Sequence, residues 1–241
     1  MKILFIFIFV LLFVVIIWHL LTKKYLSPYK MYILFGPKGI GKSTLLQKLI
    51  VYYKKLGYHI YCNIGDSPSP DIVEIQIEDI GLLSKAYKDR ALRSKLSKQY
   101  KDLGVRSADC ILPKSVIFCD ELNLIWDNRS FKQFRKDQQE YFRLQRHYKH
   151  IFIGFSQTFD TDKKIRDLAD VIVLLKKFGR VFIYGQCWRK TQIVVGATED
   201  NNRDQGVIVD NFVPMGLIYN LFSSPFRCWL PKWVKHHDSY K

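Results

Sequence analysis

Met31-Tyr-Ile-Leu-Phe35 followed by Gly36-Pro-Lys-Gly-Ile-Gly-Lys-Ser43 and Thr44 is the stretch that decides the fold. The first five residues form a short apolar run, which reads as a buried strand. The next eight, Gly36, Pro37, Lys38, Gly39, Ile40, Gly41, Lys42 and Ser43, satisfy G-x-x-x-x-G-K-[ST] at every fixed position. Leu45, Leu46, Leu49, Ile50 and Tyr53 then recur at helical spacing. Strand, glycine loop and helix in this order form a phosphate-binding loop. Glycines permit the turn that converges backbone N–H groups on phosphate, and the helix start adds the positive end of its dipole. Lys42 is placed for the β- and γ-phosphates of ATP, Ser43 for Mg²⁺, and Thr44 beside it in the first helical turn.

A second apolar run, Val116 to Cys119, ends in Asp120-Glu121, the arrangement of a Walker B strand. Asp120 is the expected Mg²⁺ ligand with Ser43, and Glu121 is positioned to polarise the attacking water. A helix cap remains the competing reading for both carboxylates. The run from His150 to Phe155 ends in Ser156-Gln157-Thr158. An amide at that strand tip can sense the γ-phosphate, or simply close a loop. Further strands are expected at Tyr58 to Asn63 and Ile72 to Ile77, with an acidic loop (Asp66, Asp71) containing Pro68 and Pro70 between them. Val171 to Leu175 and Val181 to Tyr184 read as a hairpin, and Asp160-Thr161 as the cap of a short helix. Extra strands between the two motifs, with Glu121 after Asp120, predict an α/β P-loop NTPase with a parallel-sheet core of the additional-strand type rather than a small kinase.

The strand before GPKGIGKST, together with VIFCDELNLIWDNRSF, FRLQRHYKHIFIGFSQTFD and KKIRDLADVIVLLKK, resembles the zonular occludens toxin-like (Zot) ATPases in order and spacing, over residues 31 to 185. That family includes the gene I assembly proteins of filamentous phages and sits near the FtsK and HerA motors. The resemblance implies an ATPase of the host inner membrane that powers virion assembly and extrusion as single-stranded DNA leaves the cell. It matches Gly36, Gly41, Lys42 and Ser43 to the phosphate loop, Asp120 and Glu121 to Walker B, and Gln157 to the terminal glutamine. One departure is the order of parts: the phage proteins carry their membrane span after the ATPase domain.

Here the apolar segment comes first. Every residue from Ile3 to Ile17 is Ile, Leu, Phe or Val, and Trp18-His19-Leu20-Leu21 completes a 19-residue stretch. As a helix it can cross a bilayer core, with an insertion free energy of roughly −7 kcal/mol. Lys23, Lys24 and Lys30 outnumber Lys2 as flanking bases, so the expected orientation is N-terminus outside and body cytoplasmic. The expected division is an anchor at 1–24, an ATPase domain at 25–196 and a basic, aromatic tail at 197–241.

The net charge of +16 is concentrated. Lys85 to Arg106 holds eight bases against two acids and Arg129 to Lys149 seven against two, both in stretches that read as helical. Such faces can track a nucleic-acid backbone, lie on anionic lipid, or be ordinary solvated surface. Arg143 and Arg146 are candidates for an arginine finger offered to a neighbouring subunit, with Arg146 preferred. The five cysteines are scattered without a C-x-x-C pair, which excludes a disulfide framework and gives no zinc signature.

Together these features predict a membrane-anchored, ring-forming motor that hydrolyses Mg-ATP, with single-stranded DNA or phage coat and DNA-binding proteins as partners. A DNA packaging or conjugative pump of the FtsK/HerA type shares the same site. A nucleotide-gated scaffold recruiting those partners is the non-enzymatic alternative.

Overall fold

The computed structural model describes residues 7, 9–14, 17, 27–63, 72–126, 134–158, 163–195, 207–216, 219–220 and 224–233. The described strands are β1 (Met31–Phe35), β2 (His59–Cys62), β3 (Ile72–Glu74), β4 (Ser115–Cys119), β5 (His150–Ser156), β6 (Val171–Phe178), β7 (Phe182–Val195), β8 (Val207–Pro214) and β9 (Arg227–Trp229). The helices are α1 (Lys42–Lys55), α2 (Ile80–Ala86), α3 (Arg90–Asp102), α4 (Leu122–Ile125), α5 (Lys136–Leu144), α6 (Lys163–Leu168) and α7 (Leu230–Trp233). The strands form one sheet in the order β3-β2-β4-β5-β1-β6-β7-β8, with β9 also paired to β7. From β3 to β6 all neighbours are parallel, and β7 then turns the sheet antiparallel. This is the α/β P-loop architecture expected from the sequence.

Both faces of the parallel part are covered, which is why β1, β4 and β5 are buried at every position and read as continuous apolar runs. On one face α1 packs Leu45, Leu46, Leu49, Ile50 and Tyr53 against Leu34, Phe118, Ile153 and Phe155. The opposite face holds Ile33, Ile117 and Phe152 under Trp126, Tyr141 and Phe142, the last two contributed by α5. All five cysteines are buried free thiols.

Several boundaries differ from the sequence reading. The strand that separates β1 from β4 in space is β5, whereas β2 lies on the far side of β4. The basic stretch from Lys85 is broken: α2 ends at Ala86, and Asp89 caps α3 by accepting from the backbone N–H groups of Ala91 and Leu92. The hairpin strands run longer than expected, turning at Gly179 with φ 60°. The segment after 196 supplies β8 and β9, so the sheet continues into the expected tail.

Among the described residues no helix is long and apolar enough to cross a membrane. Of the apolar N-terminal stretch only Phe7, residues 9–14 and Ile17 are described; they are helical with exposed side chains, Phe9 at 73%. The remainder of that stretch, the 64–71 loop, Arg129 and Lys132, Asp160-Thr161 and residues 234–241 lie outside the described residues.

Candidate nucleotide site

Because β1, β4 and β5 are parallel, their carboxyl ends lie at one edge of the sheet, where ligands of open α/β sheets bind. Gly36 leaves β1 and donates its N–H to Ser156 O at 3.2 Å, tying the loop to β5. Gly39 and Gly41 have φ of 75° and 100°, which an L side chain adopts only at a cost. Gly41 also has no room for a side chain: a Cβ there would lie 2.6 Å from Ile183 Cδ1 and 3.0 Å from Leu230 Cδ2. Gly41 begins α1 without any side-chain cap, so the helix presents its first N–H groups toward the loop.

Lys42 Nζ donates to Gly36 O at 2.8 Å and to Pro37 O at 3.3 Å, so its ammonium is folded into the mouth of the loop. Burial lowers its pKa from the ordinary lysine value, while Asp120 and Glu121 act against that shift and Lys38 adds to it. The opposing influence of the two carboxylates places the Walker B residues within electrostatic reach of the loop lysine. Ser43 is half-buried, and Thr44 is buried in the first turn of α1.

Asp120 leaves the end of β4 with its backbone held by Asn63, whose Oδ1 accepts from Asp120 N at 2.8 Å and whose Nδ2 donates to Asp120 O at 3.1 Å. Asp120 Oδ1 accepts from Glu121 N at 3.2 Å. Glu121 is left-handed, with φ 54° and ψ 56°, a conformation costing a non-glycine residue about 1–2 kcal/mol. It precedes α4 without a side-chain cap bond, so capping does not account for its carboxylate. Instead Gln157 Nε2, at the tip of β5, donates to Glu121 Oε1 at 2.6 Å. A strained residue held by a specific partner beside a phosphate loop is the kind of outlier that accompanies function.

The close packing of Leu122, at the start of α4, on β5 requires Gly154, where a Cβ would lie 2.2 Å from Leu122 Cδ1. Ser156 Oγ donates to Thr158 O at 2.7 Å and lies 3.5 Å from Asn123 Oδ1. Among the described residues no three His, Cys, Asp or Glu side chains are grouped to hold a metal. One hydroxyl and one carboxylate, Ser43 and Asp120, are a donor set suited to Mg²⁺ that arrives with nucleotide phosphates and retains water.

The structure therefore brings Gly36 to Thr44, Asp120, Glu121 and Gln157 to one edge. It does not bring Arg143 or Arg146 there. Arg143 is exposed on α5, and Arg146 lies beyond that helix before β5 begins, at the opposite edge of the sheet, paired with Asp170. Any finger role for either would have to be exercised on another subunit. Sequence reading missed Asn63, whose position next to Asp120 depends on β2 pairing with β4. It also missed Ile183 and Leu230, which back the loop at Gly41; the only signal was their apolar character within short strand-like runs.

No protein-family model matches the chain, and no curated protein sequence matches it. Among solved structures it is similar to the N-terminal domain of zonular occludens toxin from Neisseria meningitidis, at 13% identity and a TM-score of 0.42 over 80% of this chain and 98% of that one. It is also similar to the genome packaging NTPase B204 from Sulfolobus turreted icosahedral virus 2 in complex with AMP, at 16% identity and a TM-score of 0.43 over 64% and 78%. A further similar structure is the flagellar accessory protein FlaH from Methanocaldococcus jannaschii, at 17% identity and a TM-score of 0.39 over 66% and 77%.

Proposed function

We propose that the chain is a Mg-ATP-hydrolysing motor, held in the host cytoplasmic membrane by its N-terminal apolar stretch, that drives filamentous virion assembly or single-stranded DNA export. The observation that carries this reading is the Gln157–Glu121 contact of 2.6 Å at the edge where the Lys42 loop opens. A scaffold that only bound nucleotide would need the loop alone; a carboxylate aimed by an amide adds the means to orient and deprotonate water.

In this mechanism the loop N–H groups and Lys42 bind the β- and γ-phosphates, and Ser43 and Asp120 would hold Mg²⁺. The metal's contribution is to neutralise charge on the transferring phosphoryl group. Glu121 accepts the proton of the attacking water, and Gln157 fixes the orientation of that carboxylate. Asn63 holds the turn from which both acids project.

The described apolar N-terminal side chains are exposed, which supports a membrane as their environment, and the flanking lysines support a cytoplasmic ATPase domain. A DNA partner is supported by α3, where Arg90, Arg93, Lys98 and Lys101 with Ser94 and Ser97 line an open groove of about 540 Å³. Among the groove's described lining residues the acid is Asp109, paired with Arg93 at 2.9 Å. A homo-oligomeric ring, and phage coat or DNA-binding proteins as further partners, follow from the family resemblance. The test is ATP turnover by the full chain in lipid nanodiscs with and without single-stranded DNA. Stimulation that disappears at high salt and in Lys98→Gln/Lys101→Gln is expected. Turnover indifferent to DNA at every salt concentration would exclude the DNA partner.

A further inference from the structure

The edge of the sheet opposite the phosphate loop is also basic, and the proposed mechanism leaves it unused. Lys30, Arg146, Asp170, Arg189, Lys190 and Thr191 line an open groove of about 350 Å³ there. Sheet register makes them converge: Lys30 precedes β1, Tyr32 pairs with Val171, and Val171 pairs with Arg189. Arg146 reaches the same point from the turn before β5. These residues come from four separate parts of the sequence, so no single charged helix accounts for the groove.

Among its described lining residues the one carboxylate is already engaged. Asp170 Oδ2 accepts from Met31 N at 2.9 Å, and Oδ1 accepts from Arg146. Lys190 Nζ donates to Asp167 O, a carbonyl that fixes the side chain at the groove. Lys30 and Arg189 therefore leave the groove with a surplus of positive charge. Arg146 keeps 59% of its side chain exposed and can meet a second anion while paired.

The place where the chain enters identifies that anion. β1 starts at this edge, and ten residue steps separate Leu21, the end of the apolar stretch, from Met31. Fully extended, they span at most about 35 Å. Lys23, Lys24 and Lys30 lie along that tether.

We infer that this edge is the membrane-facing surface of the protein, and that the groove takes the phosphate headgroup of an anionic phospholipid. The inference rests on the reading of residues 3–21 as a membrane anchor. Its consequence is orientation: with the amino edge on the bilayer, Lys42 and Glu121 are carried about 23 Å away, the length of the seven-residue β5, and open toward the cytoplasm. It also gives Arg146 a role at the lipid surface of its own subunit.

The test uses the full chain in nanodiscs of phosphatidylcholine alone or with phosphatidylglycerol, both containing the same headgroup-nitroxide lipid. A fluorophore is placed by Val213→Cys, opposite Arg189 on β8, or by Phe178→Cys at the far hairpin tip; the native cysteines are buried. Phosphatidylglycerol is expected to increase quenching at 213 at least about twofold, with no change at 178, and high salt to remove the increase. The increase is also expected to vanish in Arg146→Gln/Arg189→Gln/Lys190→Gln and to fall in Lys30→Gln/Arg189→Gln, which leaves the Arg146–Asp170 pair intact. Equal quenching at 213 in both lipids, or a full increase in both variants, overturns the inference while the anchor stands. Loss of the increase on adding single-stranded DNA overturns it in favour of a nucleic-acid face. Failure of the full chain to float with vesicles at high salt overturns the anchor reading itself.

Discussion

Asn63, just past β2, holds the backbone of Asp120, just past β4, through both atoms of its amide, at 2.8 and 3.1 Å. The acid that would hold Mg²⁺ is thus fixed from its own main chain, while its Oδ1 accepts from Glu121 N at 3.2 Å. Asn63→Ala strands one donor and one acceptor in a half-buried turn, at a cost of about 1–3 kcal/mol. A lower melting temperature and at least about tenfold slower phosphate release are expected. Release at the wild-type rate would remove Asn63 from the site.

Gly39 and Gly41 both have positive φ, but only Gly41 is crowded. Gly39→Ala should cost about 1–2 kcal/mol, with nucleotide binding largely kept. Gly41→Ala should abolish binding of a fluorescent ATP analogue. Adding Ile183→Val to it removes the Cδ1 that lies 2.6 Å from the new Cβ, and should recover part of the binding but not the conformational cost.

Gln157 touches Glu121 and its loss should slow chemistry rather than binding. Removing one preorganised donor costs about 10²–10³ in kcat, so Gln157→Ala should show that loss with KM for ATP nearly unchanged. A change confined to KM would assign Gln157 to nucleotide binding instead.

His150 offers a pH test independent of the site. Tyr141 OH lies 3.3 Å from its Nδ1 and Leu112 O 3.1 Å from its Nε2, and burial lowers its pKa to about 4 from 6.5 despite the opposing Leu112 bond. The folded protein therefore keeps His150 neutral where the unfolded chain takes up a proton. Its contribution is full above pH about 6.5 and is lost as pH falls from there toward 4, by up to about 3 kcal/mol. Thermal melts of the full chain in nanodiscs should show this decline, and His150→Gln should flatten it. A wild-type melting temperature constant between pH 7 and 4.5 would refute the assignment.

The phosphate loop and Walker B strand were legible because each is a local pattern: a buried strand, then residues whose chemistry depends on neighbours in sequence. Gln157 was legible for the same reason, as the polar end of an apolar run. Asn63, Ile183 and Leu230 were not, since their roles arise from strand order and from β9 pairing with β7 over forty residues away. The break at Asp89 had a visible signal, a capping residue before Arg90, hidden within a run of bases. Arg146 shows the limit most clearly. Its sequence position offers it as a finger to a neighbouring subunit, and only the fold shows that, lying before β5, it sits a full strand length from the nucleotide edge of its own chain, paired with Asp170.

Phosphate release by the full chain in nanodiscs, beside its Lys42→Ala and Glu121→Gln variants, tests the central claim most directly. Mg-dependent turnover is predicted for the wild type, loss of ATP binding for Lys42→Ala, and at least about hundredfold slower release with binding retained for Glu121→Gln. Turnover in either variant at the wild-type rate would contradict the assignment of this edge as an ATPase site.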